Sequence, residues 1–543
     1  MSIRIKYFRK SVLIIASLAS VIGVSAQDGK KQTIDITSSF KPVLRNAAKL
    51  NFNSSTPPAD TSRPRLQYQI PVQPVMPGLQ PIALKPLAME IDSNSSWVNS
   101  NYVKVGFGNL TTPYVKAGLS LGTQDTRFNV FADHISSRGK IDYQDYSRTG
   151  FSGHFFSHVG NNLEFHAKAG FNQDQYYQYG FDQSAHSFAK EDLRQRFTTT
   201  SGEAGLRNLS PTEFGLSFAP VLKINGFRDN KDNNEFNAIL DAPLNKSVGD
   251  NMAIMLGLRA DITRYQPAQL KSITNNLFSV PVSFIYSKPN LRLQAGAAPA
   301  WDQGKFTLLP DFMAEFPVAD EKWIIQAGWI SYFDKGNYKR FASLNPYLNA
   351  PDSLRNTRIT EVFGGFKGVL FSKLSYNLKV GGVEFRNLPL FVNDKVSGKS
   401  FDILFEEKLR AFKFQAELGY TLGENVSVLA GLTLYNFGKQ VYQPRPWGII
   451  PTEFYTHVRW KIIKDLWFKT DLFMWEGAVY QKQDNSADRL PGAFDLNAGL
   501  EFRVMKNLML WAQFNNITNS KYQRWSQYDV YGFNMLGGVT FTF

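Results

Sequence analysis

The chain has 543 residues, a formal charge of +14, 14% aromatic residues and no cysteine. The absence of thiols excludes disulfide frameworks, iron–sulfur clusters and thiolate zinc sites. The mean hydropathy of −0.27 also suits a membrane barrel, in which only alternate residues meet lipid; loops facing anionic lipopolysaccharide or anionic solutes account for the basic charge, and no nucleic-acid motif accompanies it.

The first 26 residues have the form of a secretory signal. Arg4, Lys6, Arg9 and Lys10 precede an apolar core from Ser11 to Val24, and Val24-Ser25-Ala26 offers a small-residue cleavage site before Gln27. Gln27 is not cysteine, which excludes lipoprotein processing. Beyond this segment there is no run of about twenty apolar residues, so helical spans are not expected. A closed barrel is then the spanning solution that satisfies every backbone polar group internally.

Residues 27–95 are different in kind. Eight prolines fall between Pro57 and Pro86, a density that opposes helix and central strand and favours extended chain. Leu66, Tyr68, Ile70, Val72, Val75, Leu79, Ile82 and Leu84 make the stretch more apolar than a plain spacer. It is expected to dock, either in a barrel lumen or on a periplasmic partner.

From about residue 100 the pattern is uniform alternation. Leu163, Phe165, Ala167, Ala169 and Phe171 alternate with Glu164, His166, Lys168 and Gly170. Phe412 to Leu422 repeats the design around Lys413, Gln415 and Glu417, and Phe494 to Val504 repeats it around Asp495, Asn497, Glu501 and Arg503. This period predicts strands. Short turns are predicted at 159–162, 287–290, 318–322, 370–374, 423–425, 462–465 and 505–507. Longer polar stretches are predicted at 172–192, 227–234, 334–356, 438–452 and 480–490. Short turns at one end and long loops at the other are the habit of outer-membrane barrels. The expected fold is an all-β, transmembrane antiparallel β-barrel of about 22 strands, within a range of about 20–24, over residues 96–543. The tail GFNMLGGVTFTF sets Phe533, Met535, Val539, Phe541 and Phe543 on one face. Asn534, Thr540 and Thr542 take the other, with Leu536 as the exception. Trp323, Trp329, Trp460, Trp467, Trp475 and Trp511 lie near strand ends and are expected in interfacial girdles.

The stretch from Gln513 to Phe543 resembles the end of TonB-dependent receptors of Bacteroidetes type. Asn515, Asn516, Asn519, Tyr522, Gly532 and Phe543 carry the likeness. The resemblance implies an outer-membrane location and solute transport. Two departures accompany it: residues 27–95 are too short and proline-rich for a full globular plug, and Phe533 stands where arginine usually follows the glycine. Gln32 to Ser39, QTIDITSS, is mildly like a TonB box.

No residue is assigned a catalytic, cofactor-binding or metal role, and no enzyme activity is expected. The six histidines are His134, His154, His158, His166, His186 and His457. With a turn at 159–162, His158, Glu164 and His166 would share one face, where histidines with a carboxylate can bind a metal; nothing in the sequence fixes that geometry, and a polar lumen face is the preferred reading. By parity Lys413, Glu417, Arg459, Lys461, Lys469, Asp471, Asp495, Glu501 and Arg503 point inward, where mixed signs predict cross-strand ion pairs. The expected partners are outer-membrane lipid and lipopolysaccharide, an unknown solute, and a periplasmic or outer-membrane protein; no nucleic acid is expected. The alternative to transport is a barrel scaffold of an envelope assembly, docked through residues 27–95.

Overall fold

The computed structural model describes residues 101–543 except Gln124, Asp320 and Glu424. The expected signal and the proline-rich segment lie outside the described residues.

The described chain closes into an antiparallel barrel of 22 strands. Each strand pairs with its sequence neighbours, and three short segments (Leu216–Phe218, Ile273–Thr274 and Leu277–Ser279) extend the strands beside them. The seam is made by Tyr102–Gly108 and Asn534–Thr542, which run from Tyr102 opposite Thr542 to Gly108 opposite Leu536. Closure leaves no barrel strand with an unpaired edge.

Alternation sets the faces. On the seam strands Val103, Val105, Phe107, Met535, Val539 and Phe541 are exposed outward, while Lys104, Leu536 and Thr540 are buried inward. Phe412, Leu418, Phe494, Leu500 and Phe502 continue the outer apolar surface. A contiguous apolar surface of this extent around a barrel is a lipid-facing belt. Among the described residues no helix is long and apolar enough to cross a membrane.

All seven predicted short turns join strands at one end of the barrel. At the other end the prediction needs correction. Residues 172–177 and 227–229 continue their strands, and residues 476–492 contain a small hairpin of Val479–Gln481 with Ala487–Arg489. Connections at 138–145, 267–276 and 394–400 were not anticipated, while that at 516–533 coincides with the loop that the C-terminal resemblance implies. Three outer connections are tight, at 109–111, 230–233 and 303–304. Asp229 closes the second by accepting the Lys231 and Asn233 amides at 2.8 and 3.0 Å, and Gln303-Gly304 forms the third with both residues at positive φ. The tryptophan expectation also divides. Trp323, Trp329 and Trp460 are exposed on the outer wall; Trp467, Trp475 and Trp511 are buried inside. Their parity with Lys469, Asp495 and Glu501 explains the inward set, since they sit on the lumen-facing half of their strands.

Five of the nine predicted inward charges form ion pairs among the described residues. Lys413 Nζ lies 3.1 Å from Glu361, Lys469 Nζ 2.9 Å from Glu501, and His457 Nδ1 2.5 Å from Asp471. Arg503 reaches Asp465 at 4.0 Å and packs over Trp467. His158 Nε2 meets Glu164 at 3.7 Å, but His166 turns to Glu203 on the next strand at 3.5 Å. Among the described residues no three ligating side chains are placed to hold a metal.

Candidate functional site

A barrel this wide cannot be filled by wall side chains alone. Here the long-loop end fills it. One core cluster joins Tyr179, Phe197, Phe227 and Tyr265 with Tyr338, Phe341, Tyr347, Phe391, Phe401, Trp525 and Tyr528. These residues come from strands far apart around the wall and from the connections 335–356 and 516–533. The loops therefore meet across the mouth as a packed lid.

Each loop is fixed by groups its sequence supplies. The helix Tyr338–Leu344 begins at Asn337, whose side chain accepts the Arg340 amide. Glu235 accepts the Tyr338 and Lys339 amides at 2.6 and 3.3 Å, a carboxylate on orphan helix donors. Tyr338 donates its hydroxyl to Asp229 at 2.7 Å. Glu406, fully buried, accepts the amides of Val441, Tyr442 and Gln443 at 2.7–3.2 Å and holds the 438–451 connection. Within 516–533 the family-like asparagines act on the backbone. Asn516 donates to the carbonyls of Ser520 and Tyr531 at 2.8 and 3.0 Å, and Asn519 accepts the Phe533 amide at 2.9 Å. Both take positive φ, which asparagine tolerates. Tyr522 donates to Asp495 on the wall. The residues that carry the resemblance thus fold a loop and dock it.

At the centre of the lid Tyr347 and Tyr528 stack at 3.7 Å, with Tyr179 edge-on to Tyr528 at 4.8 Å. The Tyr528 hydroxyl donates to the Lys399 carbonyl and that of Tyr179 to the Asp529 carbonyl. Arg524 lies over the Trp525 ring at 4.0 Å and donates to the Gly448 carbonyl at 3.1 Å. Burial pulls its guanidinium down to about 9, against the pull of Glu453, so the charge persists at neutral pH.

The 394–400 connection is closed by one carboxylate. Asp394 accepts the amides of Val396 and Ser397 at 3.0 Å and of Ser400 at 3.2 Å. Burial alone would raise its pKa, but those N–H groups hold it below the ordinary value of 3.8. A depressed carboxylate stabilises above its unfolded value and loses that contribution as pH falls through the folded one. The tip is therefore expected to hold at neutral pH and loosen in acid below about 3.8. Asp394→Asn should show the loosening at neutral pH, as faster trypsin cleavage after exposed Lys395.

Beneath the lid an interior cleft lies along the inner face of the seam. Lys104, Tyr114, Lys469, Glu501, Trp511 and Asn515 line it. The Lys104 ammonium sits 4.1 Å from the Trp511 ring, and Tyr114 meets that indole edge-on at 5.4 Å. Glu501 gives Oε2 to Lys469, while Glu501 Oε1, Trp511 Nε1 and Asn515 Oδ1 are buried without a protein hydrogen bond. Buried polar atoms normally find partners; beside this cleft one donor and two acceptors lack one. Alternation carried a signal for it: Lys104, Trp511 and Leu536 all sit at inward parity, but only pairing across the seam brings them together.

No family model matches the chain, and no curated protein matches it in sequence. Its fold is shared with solved structures. The FrpB iron transporter of Neisseria meningitidis superposes with a TM-score of 0.64 at 11% identity, over 83% of this chain and 82% of that one. The siderophore receptor PirA of Acinetobacter baumannii gives 0.64 at 8% identity, over 82% and 80%. FpvA of P. aeruginosa, bound to a pyoverdine–iron complex, gives 0.62 at 11% identity, over 82% and 72%. Among the described residues there is no globular plug; the fold is the 22-strand barrel of the TonB-dependent outer-membrane receptors.

Proposed function

We propose that this protein carries a polar solute across the outer membrane, with the long-loop end facing outward, the interior cleft as the binding site and the aromatic lid as the outer gate. The observation that carries this reading is the set of unpartnered atoms on Glu501, Trp511 and Asn515 beside Lys104 and two aromatic rings. That wall suits a compact solute with an anionic group for the ammonium and a flat face for the rings. PirA is a siderophore receptor and FpvA was solved with a pyoverdine–iron complex, and an iron chelate of that type is the solute class this reading favours. Residues 27–95 are assigned to the other end of the lumen as a partial stopper.

A scaffold role is the second reading. It is favoured by the depth of burial in the lid, since a transport cycle must break a packed core. The two readings part in planar bilayers. With the lid opened by alanine at Tyr347, Trp525 and Tyr528, deleting residues 27–95 should raise single-channel conductance severalfold if that segment obstructs the lumen. Unchanged conductance, with loss of a co-purified protein, supports the scaffold.

A further inference from the structure

The outer wall carries a second feature that neither gating nor solute binding uses. Where strands Thr357–Leu370, Leu374–Asn393 and Phe401–Leu422 run side by side, four cations point away from the lumen. Arg358 stands opposite Arg386, and Arg386 opposite Lys408, so three cations form one row across three strands. In the row below, Thr360 faces Glu384 and Glu384 faces Arg410. Glu384 is the carboxylate that serves the group: it meets Arg386 at 2.9 Å, Arg410 at 2.8 Å and Lys408 at 3.6 Å. Arg358 forms no ion pair among the described residues. Like charges set directly opposite each other destabilise a sheet, and one carboxylate leaves this group strongly positive.

The lipid boundary runs just beneath it. One residue pair further down, Val362 faces Gly382 and Gly382 faces Phe412, with Trp329 beside Val362. Trp329, Val362 and Phe412 are exposed at 49, 55 and 50%. Gly382 leaves a slot between them, because a Cβ there would meet nothing within 4 Å. A groove on the outer wall runs from Trp329, Val362 and Gly382 up to the hydroxyls of Ser331 and Thr360 and ends at Arg358 and Arg410. Its lower part is apolar, its rim is hydroxylated and its head is cationic.

We infer that this groove binds a phosphorylated acyl glycolipid of the outer leaflet, with an acyl chain in the Gly382 slot and a phosphate on Arg358, Arg386 and Arg410. The order of the chemistry along the wall matches the ligand: acyl chain, sugar and phosphate meet apolar surface, hydroxyls and guanidinium groups in turn. Guanidinium is the side chain best suited to a phosphate, through paired charge-assisted hydrogen bonds. The inference rests on the membrane-spanning fold and not on transport, so it stands or falls separately from the gating experiments.

The test uses the full-length protein, delipidated in mild detergent, with bis-phosphorylated lipid A and its dephosphorylated form as probes and native mass spectrometry as the readout. The parent protein should hold the phosphorylated form about tenfold more tightly. Replacing Arg358, Arg386 and Arg410 together by alanine should abolish that preference. Glu384→Gln removes the competing carboxylate and should tighten binding severalfold, a gain that misfolding cannot mimic. Gly382→Leu should weaken both forms alike. Equal binding of the two forms, indifference to the arginine substitutions, or full displacement by equimolar inorganic phosphate would each overturn the assignment, the last by showing a bare anion site.

Discussion

Replacing Tyr347, Trp525 and Tyr528 together by alanine is expected to turn a barrel that seldom conducts into one with frequent, long-lived channels in planar bilayers. Tyr347 and Tyr528 form the stacked centre of the lid, and Trp525 joins them to Phe391 and Phe401 at 5.1 and 5.4 Å. Truncating one large buried aromatic costs about 3–5 kcal/mol. Loops depend on such packing, because they have no continuous ladder of their own. The wall should survive, since its hydrogen bonds run between neighbouring strands all the way round. A variant that keeps its folded mobility on unheated gels and conducts separates opening of the mouth from collapse of the barrel. A parent protein that conducts as freely as the variant would refute a packed gate.

The second large effect concerns the wall itself. Lys413 and Glu361 form an inward ion pair whose side chains are 9 and 8% exposed. Glu361 Oε1 also accepts the Tyr332 hydroxyl at 3.3 Å, and Lys413 approaches the Tyr435 ring at 5.9 Å. Taking two charges out of water is costly, and removing one partner strands the other. Lys413→Met is expected to destabilise the barrel by about 3–5 kcal/mol in urea titrations in detergent. Adding Glu361→Leu should recover most of the loss, because a pair of apolar groups leaves no buried charge. If the double variant is as unstable as the single, the cost lies in lost packing and not in the stranded carboxylate.

Much of the wall was legible because its rule is local. Phe494, Leu500 and Phe502 alternate with Asp495, Asn497 and Glu501 within a few residues, and the barrel preserves that order as outside and inside. Leu536, the exception in the last strand, is buried inward under the same parity. The tryptophans show the limit of reading by position. Trp460 and Trp467 both lie near strand ends, yet parity sends the first to lipid and the second to the lumen. The lid was not legible at all. Its contacts join residues with no sequence relation: Tyr347 to Tyr528, and Gln144 to the Asp529 carbonyl at 2.8 Å. The 394–400 turn escaped notice because Asp394 folds it without proline, and because apolar runs at 388–392 and 403–405 interrupt the alternation on either side of it. The cleft needed the seam, and the seam is a property of closure.

That seam carries a consequence for biogenesis. The strand Tyr102–Gly108 finds its partner only when Asn534–Thr542 arrives, at the far end of the polypeptide. Contacts so distant in sequence form late. Until then the growing sheet has two raw margins, each ready to recruit another chain. Insertion therefore calls for a helper that shields both margins until the final strand is delivered, and a product truncated before Asn534 should accumulate as aggregate in the periplasm.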